Sequence, residues 1–284
     1  MTADADAFDL HAVRRTAAGT RFEDLRWVAE TGSTNADLLA LAADGAGEGT
    51  VLGADHQTAG RGRRGRTWTS PPGAALLVSV LLRPPAPAVD LTTPAVALAA
   101  AEAVEAATGV APGIKWPNDL VVTSDSGPDR KLAGILAEAS WPPGVDIASG
   151  WRAPGASTRV PVVVGLGLNV AAAGRDPELE GLAVACDELA PDVVTTREAL
   201  LGEWLRSLDR WYAAVVDPSG REQMWDAWRQ RSATLGRRVR VDLGADDLEG
   251  EAIDVTSAGQ LVVRTHEGAE RVLAVGDVTH LRPL

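Results

Sequence analysis

The sequence predicts a mixed α/β domain followed by a small β-barrel, and three observations carry that reading. Continuous apolar runs of strand length, Ala75–Leu82 above all, alternate with stretches of helical periodicity such as Leu91–Ala107. After Leu235 the texture changes to short segments (VRVDL, EGEAIDV, QLVVRT and ERVLAV) divided by turn residues, which is the pattern of a small barrel. A chain of 284 residues suffices for one large domain and one small one. The expected boundaries are a flexible tail at 1–20, a main domain at 21–233 and the barrel at 234–284.

Taken in order, residues 1–20 show no sustained periodicity. Arg26–Ala29 reads as a strand, and Ser33 or Thr34 can cap a helix over Ala36–Ala43. A strand at Thr50–Ala54 leads into the loop HQTAGRGRRGRTWTSPPG. The strand Ala75–Leu82 and the alanine-rich helix Leu91–Ala107 follow. Short strands are expected at Gly113–Lys115 and Asn118–Val122, then a hairpin around Ser124–Asp129 and a strand at Lys131–Ala139. Trp141–Ser157, rich in Pro and Gly, reads as an exposed excursion before the apolar strand Val160–Leu168. Helices are expected at Arg197–Val215 and Gln223–Ser232, ahead of the barrel.

Composition bounds the function. Hydrophobic residues make up 45% and charged residues 23%, an ordinary balance for a soluble globular chain. The run Ala95–Ala107 is interrupted by Glu102 and Glu105, short of a membrane span. The N-terminus lacks the pattern of a secretory signal, and a lone Cys186 excludes an intrachain disulfide, so a cytoplasmic location is expected. A net charge of −12 argues against broad adhesion to nucleic acid or anionic membrane.

The cations are unevenly written. Of 27 Lys+Arg only Lys115 and Lys131 are lysines, and Asn35, Asn118 and Asn169 are the only asparagines. All five fall in segments that look chemically unusual for other reasons. A lysine kept against such a bias suggests a position that a planar guanidinium does not serve.

The segment GRGRRGR at 60–66 satisfies G-x-G-x-x-G, but Pro71-Pro72-Gly73 follow too soon for the helix that a dinucleotide site requires. Arg61, Arg63, Arg64 and Arg66 interleaved with glycine suit the binding of two anions at once. Their mutual repulsion predicts a loop that is mobile when free and orders on a ligand. In GIKWPNDLVV, 113–122, Pro117 forces a corner that projects Lys115, Asn118 and Asp119. Asp119 beside Asn118 suits Mg²⁺, and the same residues equally suit an Asx turn. In RKLAGILAEAS, simple alternation puts Lys131, Ala133 and Ile135 on one face of a strand and Gly134 on the other. In VVVGLGLNV, Gly165 and Gly167 strip side chains from one face, leaving a slot for a flat apolar ligand or for tight packing. Together these describe a site for an apolar carboxylate beside a nucleoside triphosphate, working by cationic electrostatics.

The segments ETGSTNADLLA, ADHQTAGRGRRGRTW, KWPNDL, KLAGILAE and VVGLGLNV resemble, in order, the motifs of the biotin–protein ligases. The resemblance spans about Trp27 to Val170. It implies a catalytic domain of the class II aminoacyl-tRNA-synthetase/biotin-ligase-like type, an α+β fold, with a Src-homology-3-like β-barrel behind it. It also implies ATP-dependent formation of biotinyl-5′-AMP and transfer of biotin to a lysine of a biotin carboxyl carrier domain. Carried over by motif, Ser33, Thr34, Asn35 and Gln57 would bind biotin, with Gly134 and Gly167 beside it. Arg61, Gly62 and Arg63 would form the adenylate-ordering loop and also meet biotin. Lys131 would hold the carboxylate and α-phosphate. Arg66, Trp68, Asn118 and Asn169 would lie near the nucleotide. Asp119 would help with Mg²⁺ or with deprotonating the acceptor lysine, and Lys115 would be an active-site cation or a support. Some members of the family carry an N-terminal DNA-binding domain, for which the residues before Trp27 are too few, so no DNA-binding role is expected. The rivals are a lipoate–protein ligase, a biotin sensor without productive transfer, and an RNA-binding module using 60–66. Both a monomer and a ligand-dependent homodimer fit the sequence.

Overall fold

The computed structural model describes residues 8–124, 127–141, 155, 157–244, 246–274 and 276–281. The expected excursion at 141–157 therefore falls almost wholly outside the described residues, as does the tip of the expected hairpin.

A seven-stranded mixed sheet forms the main domain. Its strands are β1 (Leu25–Thr31), β2 (Val51–Gln57), β3 (Ala75–Leu82), β4 (Gly113–Lys115), β5 (Asp119–Val122), β6 (Arg130–Ala139) and β7 (Val162–Asn169), in the order β1-β2-β3-β7-β6-β5-β4. Only β1–β2 pairs in parallel; every other neighbour is antiparallel. The central strand β3 is buried along its whole length, which is why it reads as an unbroken apolar run.

The helices are α1 (Leu10–Thr16), α2 (Thr34–Ala43), α3 (Thr92–Thr108), α4 (Cys186–Leu189), α5 (Arg197–Val216) and α6 (Arg221–Gln230). Helices α3 and α5 pack on each other, and α3 also packs on β6 and β7, covering one face of the sheet through Val96, Leu98, Trp204 and Leu208. Alanine in α3 permits that close approach, and Gly109 ends the helix in the left-handed conformation (φ 72°). On the opposite face, α2 packs Leu38 against Leu52, Leu81 and Val163. The rest of that face is left for the cleft.

Two expectations are corrected here. The stretch read as a flexible tail contains α1, whose N-cap Asp9 accepts from the backbone of His11 and Ala12 and whose Val13 is fully buried in the core. Packing against α5, invisible to local periodicity, holds it. Ser33 occupies the N-cap position of α2 but makes no side-chain cap.

The C-terminal unit is a five-stranded antiparallel sheet of β8 (Arg238–Asp242), β9 (Asp247–Val255), β10 (Leu261–Arg264), β11 (Glu270–Leu273) and β12 (Asp277–His280), ordered β11-β10-β9-β8-β12. Its buried face carries Val239, Val241, Ala252, Leu261 and Val263. Backbone bonds from Ile114 N to Arg231 O (2.7 Å) and from Ala233 N to Ile114 O (2.8 Å) lock the junction to β4.

Candidate active site

A cleft of about 470 Å³ opens on the sheet face not covered by α3 and α5. Ser33, Thr34, Asn35 and Gln57 form one end of it; Arg61, Arg63, Arg66, Trp68, Lys115, Asn118, Asp119 and Lys131 form the other. Gly62, Gly134 and Gly167 line it as well. Of the residues singled out by motif, Arg64 does not line it, and neither does Asn169. Its amide donates to the carbonyls of Lys131 (3.3 Å) and Val184 (3.1 Å), bracing the strand behind Lys131.

The first end is a buried polar network. Gln57 Oε1 accepts from Thr34 N (2.8 Å) and Thr34 Oγ1 (3.0 Å). Ser79 Oγ donates toward Asn35 Oδ1 (2.6 Å) and lies 2.8 Å from Thr34 Oγ1. Asn35 Nδ2 donates to Leu136 O (3.1 Å) and Glu138 Oε2 (2.8 Å). Each of Thr34, Asn35 and Ser79 is under 5% exposed, so the network is rigid and its donors are aimed rather than solvated. Ser79 and Glu138 went unremarked in the sequence, although Ser79 is the one polar residue inside an apolar strand, which was the available signal.

On the glycine face the structure shows the tight packing that was one of the two alternatives. Gly134 and Gly167 are cross-strand partners, and the Trp68 indole lies against both. A Cβ at Gly167 would come within 2.6 Å of Trp68 Cε2, and one at Gly134 within 3.0 Å of Trp68 Cζ3. At Gly165 a Cβ would come within 2.3 Å of Asn35 Oδ1. The slot is thus filled by the protein's own flat groups, because side chains from α2 and the arginine loop pack where strand residues have none.

Simple alternation fails at Lys131. A β-bulge, with Leu120 paired to Ala133 but Val121 to Lys131, turns Lys131 onto the same face as Gly134. Its Nζ lies 2.7 Å from Asp119 Oδ1 and 5.6 Å from the centre of the Trp68 ring. Lys115 stands opposite Asp119 across the β4–β5 pair, and burial lowers its pKa against the pull of Asp119 and Asp129. Asn118 donates to Ile135 O (2.8 Å) and accepts from Arg63 Nη1 (3.0 Å), which ties the corner to β6 and to the arginine loop. Burial likewise lowers the Arg63 pKa, opposed by Asp277 and Asp119.

The arginine loop is folded back on itself, with Gly62 N bonded to Arg66 O (2.6 Å). Arg64 sits in the left-handed region at φ 56°. Acids of the C-terminal sheet supply neutralisation that the sequence reading lacked: Arg64 pairs with Asp242 (3.0 Å) and Arg66 pairs with Asp277, while Arg61 pairs with Glu138 of β6 in the main sheet (3.0 Å). Asp242, Asp277, Val278 and Thr279 line the cleft, a contribution of the second domain that sequence reasoning missed.

Comparison with known proteins gives a consistent answer. Residues 31–141 match the model of the biotin/lipoate A/B protein ligase family, and residues 234–281 match the biotin protein ligase C-terminal domain. A biotin–[acetyl-CoA-carboxylase] ligase of Mycobacterium tuberculosis is 38% identical over 275 residues, covering 93% of this chain and 92% of that protein. The chain belongs to the biotin protein ligase family. A second such ligase, from Paracoccus denitrificans, is 32% identical over 87% of this chain and 97% of its own length. Among solved structures, the biotin protein ligase of Aquifex aeolicus in complex with biotin and ATP superposes with a TM-score of 0.70. It is 25% identical and covers 92% of this chain and 100% of that one. The expected mixed-sheet fold of this ligase family, with its small C-terminal β domain, is thereby met.

Proposed function

We propose that this protein is a biotin–[acetyl-CoA-carboxylase] ligase, and that the cleft is where biotin and ATP react. One observation carries the assignment of the site. A rigid array of neutral donors and acceptors at Thr34, Asn35 and Gln57 lies in the same cleft as Arg63, Lys115 and Lys131. A ureido ring suits the first group and two meeting anions suit the second.

In the first step a carboxylate oxygen of biotin attacks the α-phosphorus of ATP. The new P–O bond replaces the bond to the β-phosphate oxygen, and pyrophosphate leaves. Lys131 and Arg63 neutralise the two anions as they approach and stabilise the crowded α-phosphate. Arg61 and Arg66 exchange their carboxylate partners for phosphate oxygens and close the loop over the mixed anhydride, excluding water. Trp68, stacked over the glycine pair, offers its face to the base and an indole N–H that has no partner among the described residues. In the second step the acceptor lysine amine attacks the biotinyl carbonyl carbon, an amide bond forms and AMP departs. Asp119, already beside one ammonium, is the carboxylate placed to take the proton from another.

Among the described residues no group of three acidic, histidine or cysteine side chains could cage a metal. Asp119, with Asn118 beside it, would suit a Mg²⁺ ion that arrives on ATP and needs few protein oxygens. No helix among the described residues is long and apolar enough to cross a membrane.

The test is ATP-dependent labelling of a carrier-domain lysine with biotin and lipoate supplied separately. Transfer of biotin alone upholds the reading. Adenylation without transfer would favour a biotin sensor, and reaction of lipoate alone would name the other ligase.

A further inference from the structure

A chain of hydrogen bonds outside the cleft connects the two domains and ends beside both lysines. His280 Nδ1 lies 2.6 Å from Asp129 Oδ2, and His280 Nε2 lies 3.2 Å from Thr234 Oγ1. Thr234 Oγ1 in turn accepts from the backbone N–H of Trp116 at 3.0 Å. Arg237 Nη1 braces the far end, 2.9 Å from Asp129 Oδ2 and 3.3 Å from His280 Nδ1. Thr234 is fully buried, and the side chains of His280 and Asp129 are about one-tenth exposed.

The directions of these bonds follow from the donor inventory. Asp129 can only accept, so Nδ1 carries the proton. Nε2 is then an acceptor for the Thr234 hydroxyl, which leaves a Thr234 lone pair for Trp116 N–H. Every donor is used once and every member is satisfied, but only with a neutral imidazole. Burial holds His280 in that form, aided by the charges of Lys115 and Arg237, against the opposing hydrogen bond and charge of Asp129. A protonated ring would present a second donor to Thr234 and turn its hydroxyl away.

What the chain touches gives it meaning. Trp116 directly follows Lys115, whose side chain enters the cleft, and Asp129 lies two residues before Lys131. These are the only lysines in the protein. We propose that His280 is a positioning residue: through Thr234 it fixes the corner that carries Lys115, and through Asp129 it fixes the start of the strand that carries Lys131. The C-terminal domain thereby sets the geometry of cations that sit in the main domain. This rests on the ligase reading given above.

The experiment uses the full chain and two readouts, single-turnover pyrophosphate release with biotin and ATP, and hydrogen exchange at the Trp116 amide. His280→Asn keeps a donor toward Asp129 but loses the acceptor for Thr234, whereas His280→Gln can restore that acceptor. His280→Asn and Thr234→Val are expected to slow adenylate formation by roughly tenfold to a hundredfold, as for a small misplacement of reacting groups. His280→Gln recovers most of the rate, and in a Lys115→Ala background His280→Asn slows the reaction no further. Exchange at Trp116 rises in His280→Asn while the central strands stay protected. The proposal is overturned if His280→Asn works at the parental rate, if its effect persists undiminished without Lys115, or if His280→Gln falls as far as His280→Asn. If the parent releases no pyrophosphate from biotin and ATP, the ligase reading fails instead. The positioning chain then stands or falls on Trp116 exchange alone, where unchanged exchange overturns it.

Discussion

Replacing Gly165 by alanine separates two accounts of the glycine face. A Cβ there would lie 2.3 Å from Asn35 Oδ1 and 3.1 Å from its Cγ, so the amide must retreat by roughly 1 Å to reach ordinary contact. That retreat breaks the 2.6 Å bond from Ser79 and tilts the donors away from Leu136 O and Glu138. Misaligning a buried amide that serves three partners costs about 2–3 kcal/mol. If Asn35 orients biotin, the loss should appear as a roughly 30- to 140-fold rise in the biotin Kd. Gly167→Ala is the contrast, because its Cβ strikes the Trp68 indole and not Asn35. It should impair ATP use more than biotin binding. Calorimetric titration of each variant with biotin, and then with ATP, reads both effects. Parental biotin binding by Gly165→Ala would refute the reasoning. Equal loss of biotin by both variants would refute it too, since that would mean that the glycines face the ligand directly.

Three further outcomes are expected. Lys131→Arg should lose adenylate formation nearly as completely as Lys131→Ala, by about 10²-fold or more in pyrophosphate exchange. The charge survives, but the space beside Gly134 and Trp68 is closed to a planar fork. Acid should destabilise the domain junction. His280 has a folded pKa below its usual value, chiefly through burial, so stability is lost as pH falls from the unfolded value of 6.5 through the folded one. For Asp129, burial raises the pKa, but the His280 hydrogen bond and the Arg237 charge outweigh it and hold the carboxyl below 3.8. Its contribution is therefore lost only as pH drops below that. Thermal melts from pH 7.5 to 5 should fall, and His280→Gln should flatten the slope. Cys186, fully buried and with its thiol pushed up to about 12, should resist thiol reagents in the native protein and react only on unfolding.

Sequence legibility followed the range of the interactions concerned. The strand β3 and the helix α3 were plain because burial on every side writes itself as uninterrupted apolar or alanine-rich sequence. The gathering of Ser33, Thr34, Asn35, Gln57 and the KWPND corner was likewise foreshadowed by the motifs. The face of Lys131 was not, since a bulge changes which way a residue points without changing its neighbours in the chain. The partners of the arginine loop were hidden for a different reason. The acids that neutralise Arg64 and Arg66 lie 178 and 211 residues further on, in a domain with no recognisable chemistry of its own. The helix α1, at seven residues, is too short for its periodicity to show and depends on α5 for its stability.

The two kinds of cation at this site do different physical work, and their partners show why both residue types are kept. The arginines of the 61–66 loop hold carboxylates that are themselves partly exposed, Glu138, Asp242 and Asp277. Each such pair is a weak, solvent-screened contact that a phosphate group can replace with little loss. A planar fork suits that exchange, because it grips a carboxylate and a phosphate in the same geometry. Lys131 instead stands on a strand, between Asp119, the Trp68 ring and the bare backbone of Gly134. A compact ammonium fits there and a guanidinium does not. In the proposed reaction the loop would exchange its partners while Lys131, the charge proposed to meet the reacting carboxylate, stays fixed. That division would let one site admit two anions and still hold them in line.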